Sequence, residues 1–133
     1  MDANKSAIAQ ACLDGAENNT MTFPQIVGAL MQAGFEGYAV DFRRGRATYY
    51  LAAGGHVDLP IHRIESPMGQ AFDAGVVQAG IRAAQQLTPG YTYRGFCEQV
   101  VAAGCAGYHV SFPGRRAVYY GRTAEVHVEL FPN

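Results

Sequence analysis

Apolar and polar positions along the chain change period several times, and each change marks an element. From about Ala3 to Glu17, Ile8, Cys12 and Ala16 fall on one helical stripe, widened by Ala9 and Leu13. Asp2 is placed to cap this helix, and Gly15 with Glu17-Asn18-Asn19 to end it. Thr22-Phe23-Pro24-Gln25 reads as a capping box opening a second helix, with Pro24 in the first turn. Phe23, Ile26, Val27 and Leu30 form its buried stripe, and Gly34 supplies the left-handed residue that ends it. The period then drops to two. Tyr38, Val40 and Phe42 alternate with Ala39, Asp41 and Arg43. With Arg44-Gly45 as a two-residue loop, Phe42 faces Ala47, Val40 faces Tyr49 and Tyr38 faces Leu51, leaving Asp41, Thr48 and Tyr50 on the other face. Ala53-Gly54-Gly55 turns the chain into a third short strand, His56–Pro60, with Val57 and Leu59 inward.

This pattern is written twice. Thr22, Gly34, Gly37, Tyr38, Val40, Phe42, Arg46, Tyr49 and Tyr50 recur as Thr92, Gly104, Gly107, Tyr108, Val110, Phe112, Arg116, Tyr119 and Tyr120, each shifted by 70 (22 to 92, 50 to 120). One inserted residue then aligns His56, Val57 and Leu59 with His127, Val128 and Leu130. Residues 61–72 have no clear period and read as a connector. Asp73 can cap a helix to about Gln86, with Val77, Ile81 and Ala84 on its stripe and Gly75 and Gly80 weakening it. Thr88-Pro89-Gly90 is a strong break. In the second copy Thr92 caps, Tyr93, Phe96, Cys97 and Val100 are buried, and Gly104 ends the helix. Tyr108, Val110 and Phe112 face Tyr119 and Ala117 across a Pro113-Gly114 turn. Val126, Val128 and Leu130 should point inward, and His127 and Glu129 outward.

The expected fold is α+β: an internal duplication of a helix–helix–β-meander unit, with antiparallel sheet packed against helices. It forms one domain over residues 1–133, with pseudo-repeats at about 1–60 and 73–131. Each half is too small to bury its own sheet, so the two should share a core. Whether the six strands form one sheet or two stays open.

Composition narrows the functions. Of 133 residues, 49% are hydrophobic, enough for a packed core. The net charge is −1, and the basic residues cluster only at Arg43, Arg44, Arg46 and at Arg115, Arg116, so no nucleic acid footprint is expected. The N-terminus lacks the basic and apolar runs of an export signal, and no run spans a membrane, which points to the cytoplasm. Three cysteines without a CxxC spacing argue against a disulfide framework and a structural zinc.

The second half carries Tyr93, Phe96-Cys97, Gly104, an aromatic at Tyr108, Val110, Tyr119-Tyr120 and a terminal Phe131-Pro132. That run resembles the YdfO-like bacterial domains of unknown function, some of which are labelled "phage envelope protein". The resemblance covers nearly the whole chain; Tyr108 departs from it, standing where relatives tend to have tryptophan. It implies an α+β fold and brings no activity, substrate or catalytic residue with it.

Three groups are candidates for chemistry. The outward face of the second meander should show His109, Ser111, Tyr120, His127 and Glu129; His127-x-Glu129, echoed by His56-x-Asp58, could hold a metal or do acid–base work. A solvated sheet face explains the same alternation more simply, so no metal or cofactor is expected. Cys97 sits beside Phe96 on a buried helix face, and its repeat counterpart is Val27, which favours packing over a reactive thiol. In Tyr49-Tyr50 and Tyr119-Tyr120 one ring of each pair points inward, while Tyr50 and Tyr120 point outward to line a pocket or a dimer interface. Gly34-x-x-Gly37 and Gly104-x-x-Gly107 are helix caps rather than phosphate loops. A non-enzymatic module that binds a protein partner or itself, as a homodimer, ranks first. A small-molecule-binding protein with a pocket between the repeats ranks second. An enzyme using His109, His127 and Glu129 ranks last.

Overall fold

The computed structural model describes residues 3–132, so the expected Asp2 cap lies outside the described residues. The elements run α1 (Ala3–Glu17), α2 (Phe23–Gln32), β1 (Phe35–Asp41), β2 (Arg46–Leu51), β3 (His56–Pro60), α3 (Ala74–Gln86), α4 (Tyr93–Ala102), β4 (Cys105–Ser111), β5 (Arg116–Gly121) and β6 (Val126–Leu130). The capping signals act as the sequence predicts. Thr22 Oγ1 accepts from Gln25 N and Gln25 Oε1 accepts from Thr22 N, closing a capping box on α2. Asp73 caps α3 through Val76 N, and Thr92 caps α4 through Gly95 N. The residue in the Gln25 position of the second copy is Gly95, so α4 has the cap without the reciprocal bond.

The strands form a single antiparallel sheet in the order β3-β2-β1-β4-β5-β6. Its centre joins the two halves: Tyr38 pairs with Val110, Ala39 with His109 and Val40 with Tyr108. Residues 39 and 109 are repeat equivalents, so a local two-fold axis passes between them. Gly37 and Gly107 stand at the two ends of this pairing. A Cβ at Gly37 would lie 2.3 Å from Val110 O, and one at Gly107 2.4 Å from Val40 O. Only glycine lets the two central strands approach there.

The helices lie on one face of the sheet. Ala9, Cys12, Leu13, Ile26, Leu30, Val77, Ile81, Phe96, Cys97 and Val100 join Tyr38, Val40, Ala47, Tyr49, Tyr108, Val110, Ala117 and Tyr119 in one core spanning both halves. Tyr50 and His109 belong to the opposite, open face, where Tyr50 is exposed.

Two expectations are corrected here. The first hairpin pairs Tyr38 with Tyr49 and Val40 with Ala47, two residues away from the expected register. Asp41 Oδ1 accepts from Arg43 N and Arg44 N, which stabilises a four-residue loop in place of a two-residue one. A slip of two keeps every side chain on its face, so the inward and outward sets survive. Phe23, expected in the α2 stripe, is exposed. It packs edge-on against Phe131, ring centroids 5.6 Å apart, at the rim where the C-terminal strand meets the first half.

Candidate functional site

The last strand is turned over relative to its expected orientation. Tyr119 pairs with His127 and Ala117 with Glu129, which puts His127 and Glu129 on the helix side. Val126, Val128 and Leu130 take the open face, 59%, 45% and 60% exposed. The reason is the register. Tyr50 pairs with His56 and Tyr120 with Val126, so the backbone keeps the shift of 70 through the third strand. His127 therefore occupies the position of Val57, and Glu129 that of Leu59. The His-x-acid motifs match by letter and lie on opposite faces.

The expected outward cluster consequently does not assemble. Tyr50 and His109 do meet on the open face, centroids 6.1 Å apart, around a shallow depression that also includes Glu36 and Ser111. Tyr120 lies over Gly107, its hydroxyl close enough that a Cβ there would clash with it. His127 and Glu129 are across the sheet from both, where His127 Nε2 donates to Glu129 Oε1 at 3.1 Å. Arg82 Nη2, from α3, stands 3.7 Å from the other carboxylate oxygen. Among the described residues no three His, Cys, Asp or Glu side chains are grouped to hold a metal ion.

Glu129 opens onto a cavity of about 710 Å³ on the helix side, between the two helix pairs. Its floor is built from the repeat. Tyr38 stacks on Tyr49 at 5.3 Å, Tyr108 on Tyr119 at 5.0 Å, and Tyr38 meets Tyr108 edge-on at 6.3 Å across the local axis. Tyr91 and Tyr93 come from the start of α4, so six of the eight tyrosines line the space. Phe23, Leu87 and Phe131 form much of its apolar rim. The Tyr93 and Tyr108 hydroxyls are 2.6 Å apart. Burial drives the phenols of Tyr38, Tyr49, Tyr93, Tyr108 and Tyr119 well above their ordinary value, and that of Tyr91 up to about 12. The floor is thus an array of neutral rings with protonated hydroxyls. Cys97 lies behind it, fully buried, its thiol pushed up to about 12 by desolvation, which makes it a packed cysteine rather than a nucleophile.

A family model described as a protein of unknown function (DUF1398) matches residues 12–129. The chain belongs to this family. The family match runs from α1 into β6 and takes in the whole tyrosine floor together with Glu129. No curated protein matches the chain. Among the described residues no helix is long and apolar enough to cross a membrane.

One polar site gave no signal in the sequence because it sits in the aperiodic connector. His62 donates to Glu17 Oε2 through both its backbone N (2.8 Å) and its ring Nδ1 (2.9 Å), and both side chains are largely buried. Arg94 Nε donates to Glu17 O, and the His62 ring meets Tyr93 edge-on. Glu98 performs the same task further along, accepting from Ser66 Oγ and from the backbone N of Glu65 and Ser66. Those bonds hold its carboxyl below the usual range, the Ser66 hydroxyl most strongly. Charged groups on α1 and α4 thus tie down the connector, alongside Ile61, Ile64, Met68 and Phe72, which pack on the core without a regular period.

Proposed function

We propose that this chain is a small-molecule-binding protein whose ligand occupies the cavity between the two repeats. The observation that carries the reading is the tyrosine floor. Its volume suits a small organic ligand, for which pockets run roughly 300–1,000 Å³. Stacked rings offer flat π faces, protonated hydroxyls offer hydrogen-bond donors, and Glu129 places one acceptor at the β6 end. The ligand class is a planar, mostly apolar molecule with an acceptor for a phenol. The chain lacks tryptophan, so its tyrosine emission reports directly on this site. Titration with anilinonaphthalene sulfonate should saturate, with a dissociation constant on the order of micromolar. Ala117→Phe, which fills the floor, should weaken it about tenfold at unchanged circular dichroism. Unsaturable binding, or equal binding by the variant, would overturn the reading.

Self-association is the second reading, favoured by the exposed Val126, Val128 and Leu130. A YdfO-like kinship is kept with these proposals, resting on the motif from Tyr93 to Pro132. The envelope label carried by some such domains is given no weight.

A further inference from the structure

We propose that a second copy of this chain docks along β6, edge to edge and antiparallel about Val128, so that two sheets become one. The proposal makes the self-associating reading specific and is independent of ligand binding.

The duplication supplies an internal control for the edge. Gly121 N donates to Glu125 O and Phe131 N to Arg115 O, so odd-numbered residues of β6 bond to β5. The backbone groups of Val126, Val128 and Leu130 therefore face away from the sheet. On β3 the same pattern, set by Leu51 N to Gly55 O and Ile61 N to Gly45 O, turns His56, Asp58 and Pro60 outward. There the edge is blunted. Pro60 has no N–H to offer, and Asp58 is bound by Arg46 Nε at 3.1 Å and Thr48 Oγ1 at 2.9 Å. On β6 those three positions are Val126, Val128 and Leu130, apolar and with free donors. One half of the molecule closes its edge and the other leaves it open.

The β6 sequence Val-His-Val-Glu-Leu also complements itself. Antiparallel pairing centred on Val128 sets Val128 against Val128, Val126 against Leu130, and His127 against Glu129 in both directions. Each histidine meets a carboxylate, and no like charges oppose. The chain already uses this geometry once, where β1 and β4 pair about Ala39 and His109. A closed two-fold interface of this kind stops at a dimer, because β3 stays blunted.

Light scattering across protein concentrations should show a dimer that dissociates on dilution. Val128→Lys places two ammonium groups on the axis and should raise the dissociation constant about tenfold or more at unchanged circular dichroism. The three native cysteines are buried, so introduced thiols report alone. Val128→Cys should form an intermolecular disulfide on mild oxidation. Val126→Cys and Leu130→Cys should cross-link when mixed and not when separate. A monomer up to about 1 mM overturns the proposal together with the self-associating reading. A dimer insensitive to Val128→Lys, or Val126→Cys cross-linking with itself, overturns the β6 edge while leaving self-association through another surface.

Discussion

Positions 34 and 104 carry the same residue for different reasons. Both glycines have positive φ, +96° and +89°, at the turn from helix to strand. At Gly34 an added Cβ meets only Lys5 Nζ, at 3.6 Å; at Gly104 it would sit 2.2 Å from Ala71 O and 3.1 Å from Phe72 Cα. Gly34→Ala should therefore cost only its backbone strain, about 1–2 kcal/mol. Gly104→Ala must also push the connector away and should cost roughly 3 kcal/mol or more. Urea denaturation of the two variants checks the difference, and equal costs would show that connector packing contributes nothing at Gly104. The same scale holds a second comparison. Val57 and Leu59 show what the fold accepts at the positions of His127 and Glu129. Restoring that pattern with His127→Val and Glu129→Leu together should leave stability equal or up to about 1–4 kcal/mol higher, because a desolvated pair is exchanged for apolar contact. Glu129→Leu alone, which strips the His127 ring of its partner, should cost about 1–3 kcal/mol. A double variant less stable than the single one would mean that the pair has a structural role absent from the first half.

At the scale of elements, local chemistry was legible wherever one side chain decides the outcome. Thr22, Asp73 and Thr92 announced helix starts, and Gly34 and Gly104 helix ends. The hairpin register was misread because Asp41 selects a four-residue loop by bonding two backbone N–H groups, a choice invisible to alternation. Its faces were still right, since the slip was two. β6 was misread for a different reason. An alignment that maximised matching letters moved His127 onto His56, and a shift of one residue reverses a strand. The cavity was legible only as a place, between the halves; its tyrosine floor depends on β1 and β4 pairing about Ala39, which no local pattern encodes. The connector was not legible at all. Its polar anchors, Glu17 and Glu98, lie far away in sequence, and Ile61, Ile64, Met68 and Phe72 pack on the core at no regular spacing. Glu17 joins α1, the connector and α4, and Glu17→Ala would leave the buried His62 ring and backbone N without their acceptor. A loss of about 2–4 kcal/mol is expected by thermal or urea denaturation. Glu65→Ala, a solvent-facing neighbour on the same connector, should cost little. Equal effects would remove the clamp.

For the whole molecule the buried acids set the response to alkali. Tyr38, Tyr49, Tyr91, Tyr93, Tyr108 and Tyr119 all have phenols raised above the ordinary value of 10, and Cys97 and Cys105 thiols raised above 9 to about 12 and about 11. Below about pH 8 these groups are protonated whether the chain is folded or not, so they add no pH dependence. As pH rises from about 8 through 10 the unfolded chain releases protons that the folded chain keeps, the thiols first and then the phenols. The unfolded state then binds fewer protons, and stability falls as pH rises. Six of the eight groups belong to one core shared by both repeats and Tyr91 and Tyr93 pack against it, so the loss should be cooperative rather than ring by ring. In an alkaline titration followed by phenolate absorbance and far-ultraviolet circular dichroism together, ionisation of most tyrosines should coincide with loss of the fold, at a pH above 10. A ligand held on the tyrosine floor should move that shared transition to higher pH, since it binds only the folded, protonated array. Phenolate signal from most rings well before any loss of circular dichroism would show that the floor is open to water and titrates freely, and would remove the dry, neutral surface on which the ligand reading rests.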